Sequence, residues 1–161
     1  MARNPSAYDN IEAAIVATLS AEVSPFRTVQ AYGSHLSDAD LVKELHKLLR
    51  VAPAALVCYA GGQTNCGLAG SLDEEATFSV ICVAAARTPE AAAKGDDVSP
   101  GIYRLLEYCR EQLHNVTDIA GINNPLLCRG NRRVVIPGHL LTVAAWACDF
   151  RGDLNYPDGP T

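Results

Sequence analysis

The chain lacks the signatures that would mark it as an enzyme at first reading. None of its 161 residues belongs to a recognisable catalytic motif. The Gly-rich stretch Gly61-Gly62-Gln63-Thr64-Asn65-Cys66-Gly67 follows an apolar run, as phosphate cradles do, but it has no Gly-Lys-Ser/Thr ending. Long apolar runs are also missing. None approaches the ~20 residues needed to cross a bilayer, so no membrane partner is expected. Met1-Ala2-Arg3-Asn4-Pro5 has no apolar core, so no signal peptide is expected and the chain should stay in the cytoplasm where it is made. Positive charge is scarce: 13 Lys and Arg stand against 18 Asp and Glu, for a net charge of −5. Phosphate binding needs a basic face, which argues against broad binding to nucleic acid. DNA passing nearby without sticking remains compatible with that charge.

The six cysteines, Cys58, Cys66, Cys82, Cys109, Cys128 and Cys148, contain no Cys-x-x-Cys pair. Structural zinc usually uses at least one close pair, so no metal is expected. A reducing cytoplasm would keep the cysteines as thiols. Cys58, Cys82 and Cys148 lie within apolar strand runs and Cys109 on a helix face, the pattern of small buried hydrophobes. Cys66, in a Gly/Asn stretch, is expected to be exposed. His35, His46, His114 and His139 share no metal-like spacing, and no cofactor is implied. A Cys/His nucleophile pair, and with it a small cysteine-dependent hydrolase, stays open as an alternative, because such partners meet in space rather than in sequence. His114 also has a simpler role, as a cation near a helix C-terminus.

What the chain has is a core pattern. Hydrophobic residues make up 48% of it, and its length suits one domain with a sizeable interior. Ile11, Ile15, Val16 and Leu19 form a helical stripe over Ser6–Ala21, with Ser6 as cap and Asp9 near the positive end. Phe26–Tyr32 reads as a short strand. Leu41, Leu45, Leu48 and Leu49 share one face of a second helix that opens at Ser37, with Asp40 approximating a capping box, and stops near Arg50 before Pro53. Ala54–Gly61 and Glu75–Arg87 read as strands. The second is apolar on both faces around Phe78–Val83, as in a central strand covered on two sides.

Gly61–Asp73 between them reads as a mobile hairpin connection and Thr88–Val98 as a flexible loop. A third helix is expected from Ser99-Pro100 to Asn115, with Ile102, Leu105, Leu106, Cys109 and Leu113 buried. Strands over Leu126–Ile136 and His139–Phe150 flank a Pro137-Gly138 turn. The tail Arg151–Thr161 carries no apolar pattern and is expected to be flexible. The result is a single α+β domain over residues 1–150, with a mostly antiparallel sheet, about three helices and a C-terminal tail over 151–161.

Charged and amide residues outside that core are the candidate contact positions: Gln63 and Asn65 in the hairpin, Asp73 and Glu74 at its return, Asp96 and Asp97 in the loop, and the basic group Arg129, Arg132 and Arg133, with Arg151 at the tail. Solvated loops and strand ends are the plain alternative for each of them.

Several stretches resemble one family. They are Ile11-Glu12-Ala13-Ala14-Ile15, Thr28-Val29-Gln30-Ala31-Tyr32, Ser37-Asp38-Ala39-Asp40-Leu41 and Arg50-Val51-Ala52-Pro53-Ala54-Ala55-Leu56-Val57 leading to Gly61-Gly62. Val83-Ala84-Ala85-Ala86-Arg87, Gly101-Ile102-Tyr103-Arg104-Leu105-Leu106-Glu107 and a closing hairpin complete the set. In this order they resemble the tail terminator proteins of Mu-like phages, across nearly all of the chain before the tail. Gln63–Leu72 and Asn155–Thr161 have no matching counterpart.

The resemblance implies a tail-terminator-like fold and a virion protein, assembled in the host cytoplasm, that performs no catalysis. It would form a ring, by analogy a hexamer, at the head-proximal end of the tail. There it would stop polymerisation of the tail tube and provide the surface for head joining. Its partners would be copies of itself, the tail tube protein and the neck or head connector protein, with DNA passing through the lumen unbound. A neck or head-completion adaptor ring is the neighbouring alternative.

Overall fold

The computed structural model describes residues 6–32, 38–66, 72–119, 121–138 and 143–156. The elements in chain order are α1 (Ala7–Leu19), β1 (Thr28–Ala31), α2 (Asp38–Leu49), β2 (Ala54–Cys66), β3 (Leu72–Ala85), α3 (Pro89–Lys94), α4 (Ile102–Leu113), β4 (Leu127–Arg133) and β5 (Val143–Tyr156). The five strands form one sheet in the order β1-β2-β3-β5-β4. Only β1 and β2 run parallel, joined through α2; every other pair is antiparallel. This is the expected α+β class, with α3 added to the expected helices.

Local chemistry explains the elements. Ser6 and Asp9 close a full capping box at α1: the Asp9 amide donates to Ser6 Oγ at 3.2 Å, and the Ser6 amide donates to Asp9 Oδ2 at 2.8 Å. The proposed cap at Ser37 lies outside the described residues. Along β3, Ala76, Phe78, Val80, Cys82 and Ala84 point to one face, where they meet Ile11, Ile15 and Leu19 of α1 and Ile102, Leu105, Cys109 and Leu113 of α4. On the opposite face, Ile81 and Val83 join Leu56, Ala145 and Ala147 beneath Leu45 and Leu48 of α2. The run read as covered on two sides is therefore covered by α1 and α4 on one side and by α2 on the other. Before Ile81, β3 alternates polar and apolar, because α2 does not reach that end.

Several sequence expectations need correction. Gly61–Asp73 is not all connection: β2 continues to Cys66 and β3 begins at Leu72, paired as Asn65↔Asp73 and Gln63↔Glu75. Polar residues extend these strands because backbone pairing, unlike burial, needs no apolar side chain. The register slips once, between Tyr59 and Gly61, and Gly61 takes a φ of 115° that other residues adopt only with strain.

Thr88–Val98 contains α3, capped by Thr88 Oγ1 accepting from the Ala91 amide at 3.2 Å, with Pro89 at its start. The third predicted helix starts at Ile102 rather than at Pro100. Ser99 and Pro100 are held instead against Gly95 and Asp96, and the Asp96 amide donates to the Ser99 carbonyl at 3.0 Å. The expected boundary at Phe150 falls inside β5, since Arg151–Tyr156 continue pairing with Thr77 back to Leu72 of β3. Residues 157–161 lie outside the described residues.

Gly101, the residue that caps α4 without a side chain, lies against the backbone of Lys94 and Gly95, and a Cβ there would collide with both. Gly101→Ala is therefore expected to destabilise the fold by about 1–3 kcal/mol, the usual range for overpacking. Urea unfolding reads this directly, and an unchanged midpoint would show that the α3–α4 corner gives way freely.

Candidate interaction surface

The half of the sheet that α2 leaves bare is polar by the same alternation that buries the other face. Thr77 and Ser79 of β3 stand beside Asp149 of β5 and Arg132 of β4, lining a hollow of about 450 Å³ with Gly61, Gly62, Gln63 and Glu75. Ser79 is fully buried yet satisfied: its hydroxyl donates to Asp149 Oδ1. Arg132 Nε donates to Asp149 Oδ2 at 3.2 Å, and Arg132 Nη2 approaches Ser79 Oγ at 3.5 Å. Arg151, one register step further, pairs with Glu75 at 2.8 Å and Asp153 at 3.4 Å. Such partly exposed pairs contribute about 0–1 kcal/mol each, so they order the surface more than they hold the fold.

The structure divides the candidate contact residues. Gln63, Asn65, Asp73, Arg132 and Arg151 gather around this end of the sheet. Asn65, Asp73 and Arg151 line a second hollow of about 350 Å³, together with Asn123 and Asn124 from the segment before β4. Arg129 and Arg133 are exposed on the edge strand β4, which bulges between Cys128 and Gly130. Asp96 and Asp97 lie apart, after α3. Asp96 accepts the Val98 and Ser99 amides at 2.9 Å each, and these two hydrogen bonds hold its carboxyl below the usual range.

Glu74 does not belong with the exposed positions. It is 6% exposed, and Tyr8 and Tyr59 both donate their hydroxyls to it, Tyr59 at 2.6 Å. Its place in an acidic run concealed this: Glu74 sits on the α1 face, while Asp73 and Glu75 point the other way. A third hollow, of about 350 Å³, went unread in the sequence. It lies between α4 and β4, lined by Tyr103, Leu106, Glu107, Arg110, Asn131 and Trp146. Tyr103 is 54% exposed there. The helical stripe signalled only the inner side of α4.

Glu12, like Glu74, is a buried acid, and it tethers α1 to the sheet. It is 4% exposed, and its Oε1 accepts the Tyr59 amide at 2.8 Å, just before the β2 bulge. Burial raises its pKa, opposed by that hydrogen bond and assisted by Asp9.

Where the thiols depart from their ordinary range they move upward. Burial pushes Cys58 up to about 11, the hydrogen bond with Cys82 and then burial raise Cys109, and burial raises Cys148. A cysteine nucleophile activated for hydrolysis calls for the opposite shift. His114 meets Cys128 through the backbone, its Nδ1 accepting the Cys128 amide at 3.1 Å. Cys82, Cys109 and Cys148 are buried as read from the sequence, while Cys58 and Cys128 are half-buried. The Cys66 side chain lies outside the described residues. Among the described residues no group of three or more His, Cys, Asp or Glu is placed to hold a metal ion, and no helix is long and apolar enough to cross a membrane.

Over residues 8–155 the chain matches the family described as Bacteriophage Mu, Gp37. No curated protein matches the chain.

The raised Glu12 pKa has a testable sign. The folded state holds this proton more tightly than the unfolded chain. The stabilisation is therefore complete below the ordinary value of 4.5 and is lost as pH rises through the elevated folded value. Glu12→Gln keeps an oxygen for the Tyr59 amide and removes the titration. Its stability relative to the parent protein should rise between pH 4 and pH 7, as measured by denaturant midpoints. An equal difference at both pH values would refute the assignment.

Proposed function

The chain belongs to the Bacteriophage Mu Gp37 family of phage structural proteins, and from that premise we propose that it is a tail terminator: a ring of identical subunits capping the head-proximal end of the tail tube. The observation that carries this reading is the family match over residues 8–155, joined to the terminator-like stretches at Arg50–Val57 and Gly101–Glu107 that flank the sheet's centre. The ring stops addition of tube subunits and offers its other face to the neck or head connector protein.

The geometry supports the proposal in three ways. First, β4 is an edge strand with exposed Arg129 and Arg133, while Asp73 and Glu75 stand on the β3 end of the same chain. Unlike surfaces on one subunit suit a head-to-tail interface, which closes into a ring when its rotation permits. Second, β2, β3 and β5 carry a polar end beyond the cover of α2, available for a neighbouring protein. Third, the net charge of −5 suits a lumen through which DNA slides without binding. In this reading binding and shape do the work, and the raised Cys58 and Cys148 thiols lend no support to the hydrolase alternative.

Adding purified protein to growing tail tubes should stop them at a defined length, with one extra ring at an end visible by electron microscopy. Tubes that keep growing and carry no added density would overturn the proposal and favour the neck adaptor. The double reversal Arg129→Glu, Arg133→Glu should weaken capping while leaving stability within about 0.5 kcal/mol, as expected for exposed positions. Full capping by this variant would remove the β4 arginines from the interface.

A further inference from the structure

Four cysteines lie on the α4 face of the sheet in two close pairs. Cys82 of β3 and Cys109 of α4 have their Sγ atoms 3.6 Å apart, and Cys128 of β4 and Cys148 of β5 are separated by the same 3.6 Å. The second pair lies beside the edge bulge. Cys128 stands opposite Phe150, and the extra residue at Arg129 shifts the register so that Asn131 stands opposite Cys148. Cys128 and Cys148 are thus diagonal neighbours with side chains on one face. The pairs differ in access: Cys82 and Cys109 are both fully buried, whereas Cys128 is half-buried on an exposed strand with Cys148 behind it.

We propose that Cys128 and Cys148 form a thiol–disulfide exchange site, which a small-molecule disulfide such as oxidised glutathione converts into a covalent clip between β4 and β5. This inference stands apart from the terminator reading. The Cys128 thiolate attacks one sulfur of the glutathione disulfide, that S–S bond breaks, and one glutathione thiolate leaves and takes a proton. Cys128 now carries a mixed disulfide. Cys148 gives its proton to solvent, slowly because burial disfavours its thiolate, and attacks Cys128 Sγ, and the second glutathione leaves as a thiolate. Two protein thiols and one glutathione disulfide become one protein disulfide and two glutathione thiols, so the protein is oxidised by two electrons and glutathione is reduced by two.

Bond formation requires the sulfurs to close from 3.6 Å to about 2.05 Å, by side-chain rotation together with a shift of the edge strand β4, because diagonal neighbours stand wider apart than a disulfide spans. The clip fastens an edge strand that otherwise pairs along one side only, and it does so on the strand that presents Arg129, Arg132 and Arg133. Cys82 and Cys109 provide the comparison within the same molecule, having the same separation without the exposed partner.

The experiment exposes the full chain to oxidised glutathione and maps disulfides by mass spectrometry without reduction, with released glutathione thiol measured in parallel. The expected result is a peptide pair linking Cys128 to Cys148, two glutathione thiols released per clip formed, and Cys82 and Cys109 left as thiols. Cys148→Ser should stop at one glutathione held on Cys128, and Cys128→Ala should leave Cys148 reduced. The proposal is overturned if Cys128 and Cys148 remain thiols after prolonged exposure. It is equally overturned if a mixed disulfide on Cys128 persists in the parent chain, or if Cys82–Cys109 closes while Cys128 stays free. The parent chain alone decides among these outcomes should either variant fail to fold.

Discussion

Everything in this molecule hangs on the antiparallel register of β3 and β5. Two strands of 14 residues pair from Leu72↔Tyr156 to Ala85↔Val143. The register decides which side chains share a face: Phe78 stands opposite Phe150 and Val80 opposite Cys148, all directed towards α1 and α4. Ser79 meets Asp149 and Ile81 meets Ala147 on the other side. Because side chains alternate along a strand, a slip of one residue would put Phe150 and Cys148 on the exposed face and draw Asp149 and Arg151 into the core. The desolvation cost of those charges is what locks the register. β2 and β4 then attach on either side of a ladder that is already fixed.

The same ladder makes the two faces of the sheet unlike. One face is covered along its length by helices, whereas on the other face α2 covers the Ile81–Val83 end. Where cover stops, apolar residues give way to Thr77, Ser79, Asp149 and Arg151; Ser79 bonds Asp149 while Arg151 pairs with Glu75 and Asp153, which orders the surface. A rigid backbone that presents polar groups already held in place lowers the ordering cost of any contact made there. Glu12 and Glu74 do complementary work on the covered face. Each accepts hydrogen bonds that tie α1 to the β2–β3 pair, so the helix is positioned by specific polar contacts as well as by packing.

The sequence by itself determined the stripes of α1, α2 and α4, the Ser6–Asp9 cap, the central character of Val80–Val83 and the α+β class. These follow from periodicity and local hydrogen bonding within a few residues, which do not depend on what lies opposite. The resemblance to a Mu-like phage family was legible in the same way, as ordered short stretches. Tertiary structure alone decided that Gln63–Cys66, Leu72–Glu74 and Arg151–Tyr156 are strand, because polar residues extend a ladder only when a partner strand stands in register beside them. It decided that Glu74 is interior while Asp73 and Glu75 face outward, because burial depends on which face the register assigns. It also decided that Cys128 meets Cys148, because pairing Cys128 with Phe150 sets it diagonally beside Cys148, a register that no local pattern carries. Local pattern names the elements; pairing between distant segments determines which polar groups end up together, and so where this protein can act.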